Sequence, residues 1–174
     1  MIAGTIATPA QGPELVVEWR RGRALVARWG HVVFVRWTGV PTSAQLGALT
    51  AAHARASAHG AVLLVNAISA MEGRPVVDPE IHAAIVALIR ACRGRTRAVA
   101  HLVEIAGPVG LAVRAFLHSL ERLAESPATK VSSFDRIEPL ARWLAGSTTE
   151  RVDATALVDA WRASDHDKTT SLAA

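Results

Sequence analysis

Tyrosine is missing from this chain of 174 residues, phenylalanine occurs three times and cysteine once. The single thiol, Cys92, excludes an intramolecular disulfide and any zinc site built on several cysteines. Charge of one sign is not concentrated either. Nineteen Lys and Arg face fifteen Asp and Glu, for a net charge of +4, and the pI of about 10.5 reflects arginine standing in for lysine throughout. Without a basic block the electrostatic footprint of a nucleic-acid binder is missing, and no nucleic acid is expected as a partner. No apolar run approaches the length of a bilayer span, and Met1 to Gly12 lacks both the basic start and the sustained apolar core of a signal peptide. The reading is a cytoplasmic protein without a membrane span.

Catalytic signatures are equally scarce. There is no Gly-x-Ser-x-Gly elbow, no His-x-x-x-His pair among seven histidines, and no dinucleotide fingerprint or P-loop lysine. His53 on an apolar stripe and His101 in a strand read as core histidines with satisfied hydrogen bonds rather than as metal ligands. The expectation is a non-enzymatic protein with no cofactor and no metal.

What is present is hydrophobic residue: 51% of the chain, ample for one packed core. After a loose leader over residues 1–13, three strand patterns follow one another: Leu15 to Trp19, Ala24 to Trp29 and Val32 to Trp37. The breaks at Arg21-Gly22 and Gly30-His31 are short enough for tight reversals, so an antiparallel meander is predicted, with its third strand apolar on both faces and therefore central. Thr42 and Gln45 have capping-box spacing at the head of a helix that Gly60 stops. Strand, helix, strand, helix, strand and helix then alternate: Val62 to Val65, the helix opened by Asp78-Pro79-Glu80, Ala98 to Val103, a helix from Pro108, the short edge strand Lys130 to Phe134, and a fourth helix for which Asp135 and Glu138 have cap spacing. An amphipathic segment, 147–163, and a polar tail, 164–174, read as disordered, complete the chain. Right-handed crossovers place the later strands in a mixed, mainly parallel sheet, so the fold class is α/β with an N-terminal antiparallel meander and about four helices.

Over residues 24–146 this order resembles the STAS domain, especially its SpoIIAA-like bacterial relatives. The likeness is carried by Gly30 to Gly39, by the strand Val62 to Asn66, and by Phe134-Asp135 leading to Ala141-Arg142-Trp143-Leu144. Residues 14–146 are thereby identified as one STAS-like domain. The resemblance implies a regulatory role, and in family members that act as phospho-switches a serine or threonine opens the second helix within an Asp-Ser-Ser-Gly-like pattern. Here the matching residues are Asp78-Pro79-Glu80-Ile81, with no hydroxyl. Asp78 as N-cap, Pro79 in the first turn and Glu80 on the helix dipole make ordinary helix-start chemistry. Ser69 in the preceding loop is the candidate phosphosite that remains.

Parallel sheets work at the carboxyl ends of their strands, which makes the loop from Asn66 to Asp78 the first place to look for function. The candidate partner-binding residues are Asn66, Ser69, Glu72, Asp78, Glu80, Gly107 and Gly110, with Trp143 and Trp161 as interface aromatics. The favoured expectation is a regulatory or scaffold domain that binds a protein partner, or a second copy as a homodimer, through this edge and the second helix. The alternative is a small apolar or lipid-like ligand held between helices and sheet.

Overall fold

The computed structural model describes residues 13–70, 78–124, 128–149 and 152–166. Six strands form one sheet in chain order: β1 (Leu15–Arg21), β2 (Ala24–Trp29), β3 (Val32–Trp37), β4 (Val62–Ile68), β5 (Thr96–Val103) and β6 (Lys130–Phe134). The first three pair antiparallel and the rest join in parallel. Each of the two hairpins turns over two residues beginning with a glycine in the left-handed region, Gly22 at φ 57° and Gly30 at φ 60°, where a side chain would be strained. The sheet is α/β and mixed, and it carries five helices: α1 (Ser43–Ser57), α2 (Pro79–Cys92), α3 (Gly107–Ala124), α4 (Ile137–Ser147) and α5 (Ala154–His166).

Three parallel crossovers between strands that lie side by side in chain order all pass over the same face when each is right-handed. Helices α1, α2 and α3 accordingly share one face, where Val26, Val33 and Val35 meet Leu49, Ala52 and Ala56 of α1, and Ile68 and Val103 meet Val113 and Leu117 of α3. The opposite face belongs to α4 and α5. There Phe34, Leu63, Val65 and Leu102 meet Leu140, Leu144 and Leu157, all fully buried. Four alanines on the strands of that face (Ala27, Ala67, Ala98 and Ala100) let the two helices sit close. β3 is buried on both faces, as its doubly apolar pattern predicts.

Helix starts follow the sequence in part. Thr42 caps α1 through its hydroxyl, which accepts from the Gln45 N–H at 3.2 Å, but the Gln45 amide does not return to close the box. It donates instead to the Arg36 carbonyl at 3.0 Å, tying α1 to the end of β3. Asp135 is not the cap of α4: Arg136 holds that position without a side-chain bond, and the exposed Asp135 lies 3.9 Å from its guanidinium. Pro139, in the first turn, removes an N–H that has no intrahelical partner anyway.

The last helix corrects two further expectations. It reaches His166, three residues into the segment read as tail, because its end is pinned. Arg20 donates to the Ser164 carbonyl at 2.8 Å, and the buried Arg36 pairs with Asp165 while its guanidinium lies 4.1 Å from the centre of the Trp161 ring. Burial pulls the Arg36 pKa below its usual value, and Asp165 acts against that shift. Trp161, expected as a docking aromatic, is 3% exposed and packs on Phe34 with ring centroids 5.7 Å apart. It is core, and unavailable to a partner. Trp143 is half-buried against Phe134, 5.6 Å between centroids, and also covers this face.

Candidate ligand-binding cavity

The two faces are not packed alike. Helix α2 has a broad apolar side (Ile81, Ala84, Ile85, Leu88, Ile89 and Cys92), yet none of its residues is fully buried. It rests chiefly on its neighbours α1 and α3 rather than on the strands. Beneath it lies a cavity of about 180 Å³. Val35, Leu64, Val99 and Val131 supply its floor from four parallel strands, Leu46 and Leu49 of α1 and Phe116 and Leu117 of α3 its sides, and Ile85, Leu88 and Ile89 its roof. Short valines on the floor and a helix held up from both sides leave the gap between them unfilled.

The polar side chains in the lining are Trp37, Asn66 and His101. Asn66 and His101 are paired neighbours in the β4–β5 register, and Trp37 closes β3 beside them. The Trp37 indole N–H donates to Asn66 Oδ1, and Asn66 Nδ2 lies 2.8 Å from His101 Nδ1. The three polar groups are linked to one another through these two bonds, which a hydrocarbon lying beside them need not break.

A second hollow of about 100 Å³ continues the first toward the amino ends of the strands, sharing Leu49, Leu64, Leu88, Ile89 and Val99 with it. Its own residues are more polar: His53, Cys92, Arg93, Thr96 and Thr129. His53 Nε2 lies 2.8 Å from Thr96 Oγ1, whose hydroxyl also reaches the Cys92 carbonyl at 3.2 Å. Burial, with the charge of Arg95 adding to it, lowers the His53 pKa from its usual value and favours the neutral ring. Burial raises the Cys92 thiol to about 11, with Arg95 opposing, so the thiol stays protonated at neutral pH.

Of the described candidate partner-binding residues, Asn66 alone lines the cavity, beside His101, which the sequence marks as a core histidine. Ser69 follows β4, where its N–H donates to the Trp37 carbonyl at 3.2 Å; its hydroxyl oxygen is shielded from solvent with no partner among the described residues, unlike the exposed acceptor a kinase needs. Glu72 lies outside the described residues. Asp78 and Glu80 are exposed, and Asp78 Oδ1 accepts from the Glu80 N–H at 2.7 Å, the expected cap. Gly107 and Gly110 open α3, and a Cβ at Gly110 would stand 2.0 Å from the Ile105 carbonyl oxygen, so that glycine is required by the packing of the strand end on the helix. The carboxyl edge thus holds the helix caps, while the space lies between α2 and the sheet. The residues that sequence reasoning missed are Ile85, Leu88 and Ile89, whose apolar side reads as ordinary core.

Comparison of the chain with protein-family models, with curated proteins and with solved structures finds no match in any of the three. Among the described residues no helix is long and apolar enough to cross a membrane.

Proposed function

We propose that this protein is a non-enzymatic binding protein for a small apolar ligand, held between α2 and the sheet. The observation that carries the reading is the cavity of about 180 Å³ under a helix none of whose residues is fully buried. Its volume somewhat exceeds that of the ~150 Å³ apolar cavities that accept benzene, which favours one ring or one chain over a diacyl lipid. Empty, such a space forfeits dispersion contacts on every wall, and an occupant restores them. Docking of a protein partner at the carboxyl edge has less support, since Trp161 is buried and Asp78 and Gly110 are accounted for by capping and close packing. The order of strands and helices fits the STAS-like resemblance, and membership of that family is proposed on topology alone.

Titration with the fluorescent apolar reporter N-phenyl-1-naphthylamine tests the reading. Saturable enhancement is expected with the wild type and is lost in Ile85→Trp, whose indole fills the space, while the far-UV spectrum stays unchanged. No enhancement with the wild type, or equal enhancement with a folded Ile85→Trp, overturns it.

A further inference from the structure

The smaller hollow, toward the amino ends of the strands, keeps one buried acceptor in reserve. His53 belongs to α1, is 4% exposed and lines that hollow. The protons of both threonine hydroxyls in the lining are already committed: Thr96 Oγ1 donates to the Cys92 carbonyl at 3.2 Å, and Thr129 Oγ1 to the Thr96 carbonyl at 2.9 Å. Across the 2.8 Å contact between His53 Nε2 and Thr96 Oγ1 the proton therefore comes from the ring, and a neutral imidazole that donates through Nε2 carries a lone pair on Nδ1. Burial favours that neutral ring. Nδ1 has no hydrogen-bond partner among the described residues, yet it is not sealed away as the Ser69 hydroxyl is. With the side chain this deeply buried, the space open to that nitrogen is the hollow it lines.

Resting on the cavity reading, we propose that the occupant is a neutral single-chain alcohol, whose hydrocarbon lies under α2 and whose hydroxyl donates to His53 Nδ1. The two hollows share Leu49, Leu64, Leu88, Ile89 and Val99, so a chain can run from one into the other over apolar side chains throughout. A buried acceptor without a donor carries a desolvation cost that a hydroxyl proton removes. Water meets the same need less well, because it wants about two to four polar partners and the hydroxyl protons of this hollow are taken.

Competition against the bound reporter with octan-1-ol and its isomer 1-methoxyheptane isolates the hydroxyl, since the two share one molecular formula and only the alcohol has a proton to donate. Relative to His53→Leu, the wild type is expected to shift the ratio of the two affinities toward the alcohol by about two- to tenfold, the range of one net hydrogen bond. A merely structural His53 would weaken both isomers together, and equal ratios in the two proteins overturn the proposal. Where His53→Leu does not fold or does not hold the reporter, a long-range proton–nitrogen correlation spectrum of the wild-type histidine rings reads the same contact. His53 Nδ1 is expected to move upfield with octan-1-ol and not with 1-methoxyheptane, and an unmoved Nδ1 sinks the idea. If the reporter binds but neither isomer displaces it, the alcohol proposal fails and the cavity reading stands. Failure of the reporter to bind removes both.

Discussion

The α4–α5 face and the α1–α3 face belong to one sheet and both carry apolar residues, yet among the described residues they are packed differently. On the first, alanines in the strands bring the helices close, and Phe34, Leu140, Leu144 and Leu157 are fully buried. On the second, valines and leucines from four strands face a helix that its two neighbours hold up, and a cavity remains. The difference shows that filling a face depends less on how hydrophobic its helix is than on whether that helix is free to settle. Helix α5 ends the described chain and is drawn down by the Arg36–Asp165 pair and by Trp161 on Phe34. Helix α2 is connected at both ends to neighbouring strands and is wedged between α1 and α3.

If the α4–α5 face carries the stability, Phe34→Ala should cost about 3–5 kcal/mol, measured by urea unfolding, because its cavity would open among residues that cannot collapse. A cost no larger than that of a substitution in α2 would break the comparison. Next in size is the clasp on α5. Asp165→Ala leaves the Arg36 guanidinium buried without its partner, and about 1–3 kcal/mol should be lost, less than for a fully buried pair because the Asp165 side chain is 44% exposed. Arg36→Leu in the same background should recover part of that loss in a double-mutant cycle.

The cavity face is sharpened by pH. The His53 pKa is lowered in the folded protein, so the unfolded chain binds more protons in acid. Its contribution is therefore fully present above the unfolded value of about 6.5 and is lost as pH falls through and below it. Unfolding free energies of wild type and His53→Gln should diverge in slope by at most about 1.4 kcal/mol per pH unit between neutral pH and pH 5, and parallel profiles would count against a buried neutral His53. The smallest effect belongs to the roof: Leu88→Ala should cost less than about 1 kcal/mol, since half-exposed atoms beside an existing space lose few contacts. Amide exchange checks the same point without mutation, with α2 exchanging through local opening well before α4. Equal protection of the two helices would remove the distinction between the faces.

Much of the fold was legible in the residues. Short apolar runs broken at Gly22 and Gly30 marked the meander, Asp78-Pro79-Glu80 marked the start of α2, and the doubly apolar Val32 to Trp37 marked a central strand. Two side chains went elsewhere for reasons no local pattern contains. Gln45 found a carbonyl at the end of β3, and Trp161 found Phe34 and Arg36 on that same strand, more than a hundred positions earlier in the chain. The candidate site was the least legible part. Asn66 stood out as a polar residue closing an apolar strand, but Ile85, Leu88 and Ile89 have the spacing of any buried helix face, and their periodicity is the same whether the helix touches the sheet or stands off it.

By itself, then, the order of residues determined the strands, most of the helices and the mixed α/β class of the sheet, because these follow from local dihedral preference, apolar period and chain connectivity. The tertiary structure decided which helix would be pressed onto the sheet and which would be propped above it. This cavity is the space left over where seven elements stop short of one another, and its size depends on distances among residues far apart in the chain, to which no single stretch of sequence answers.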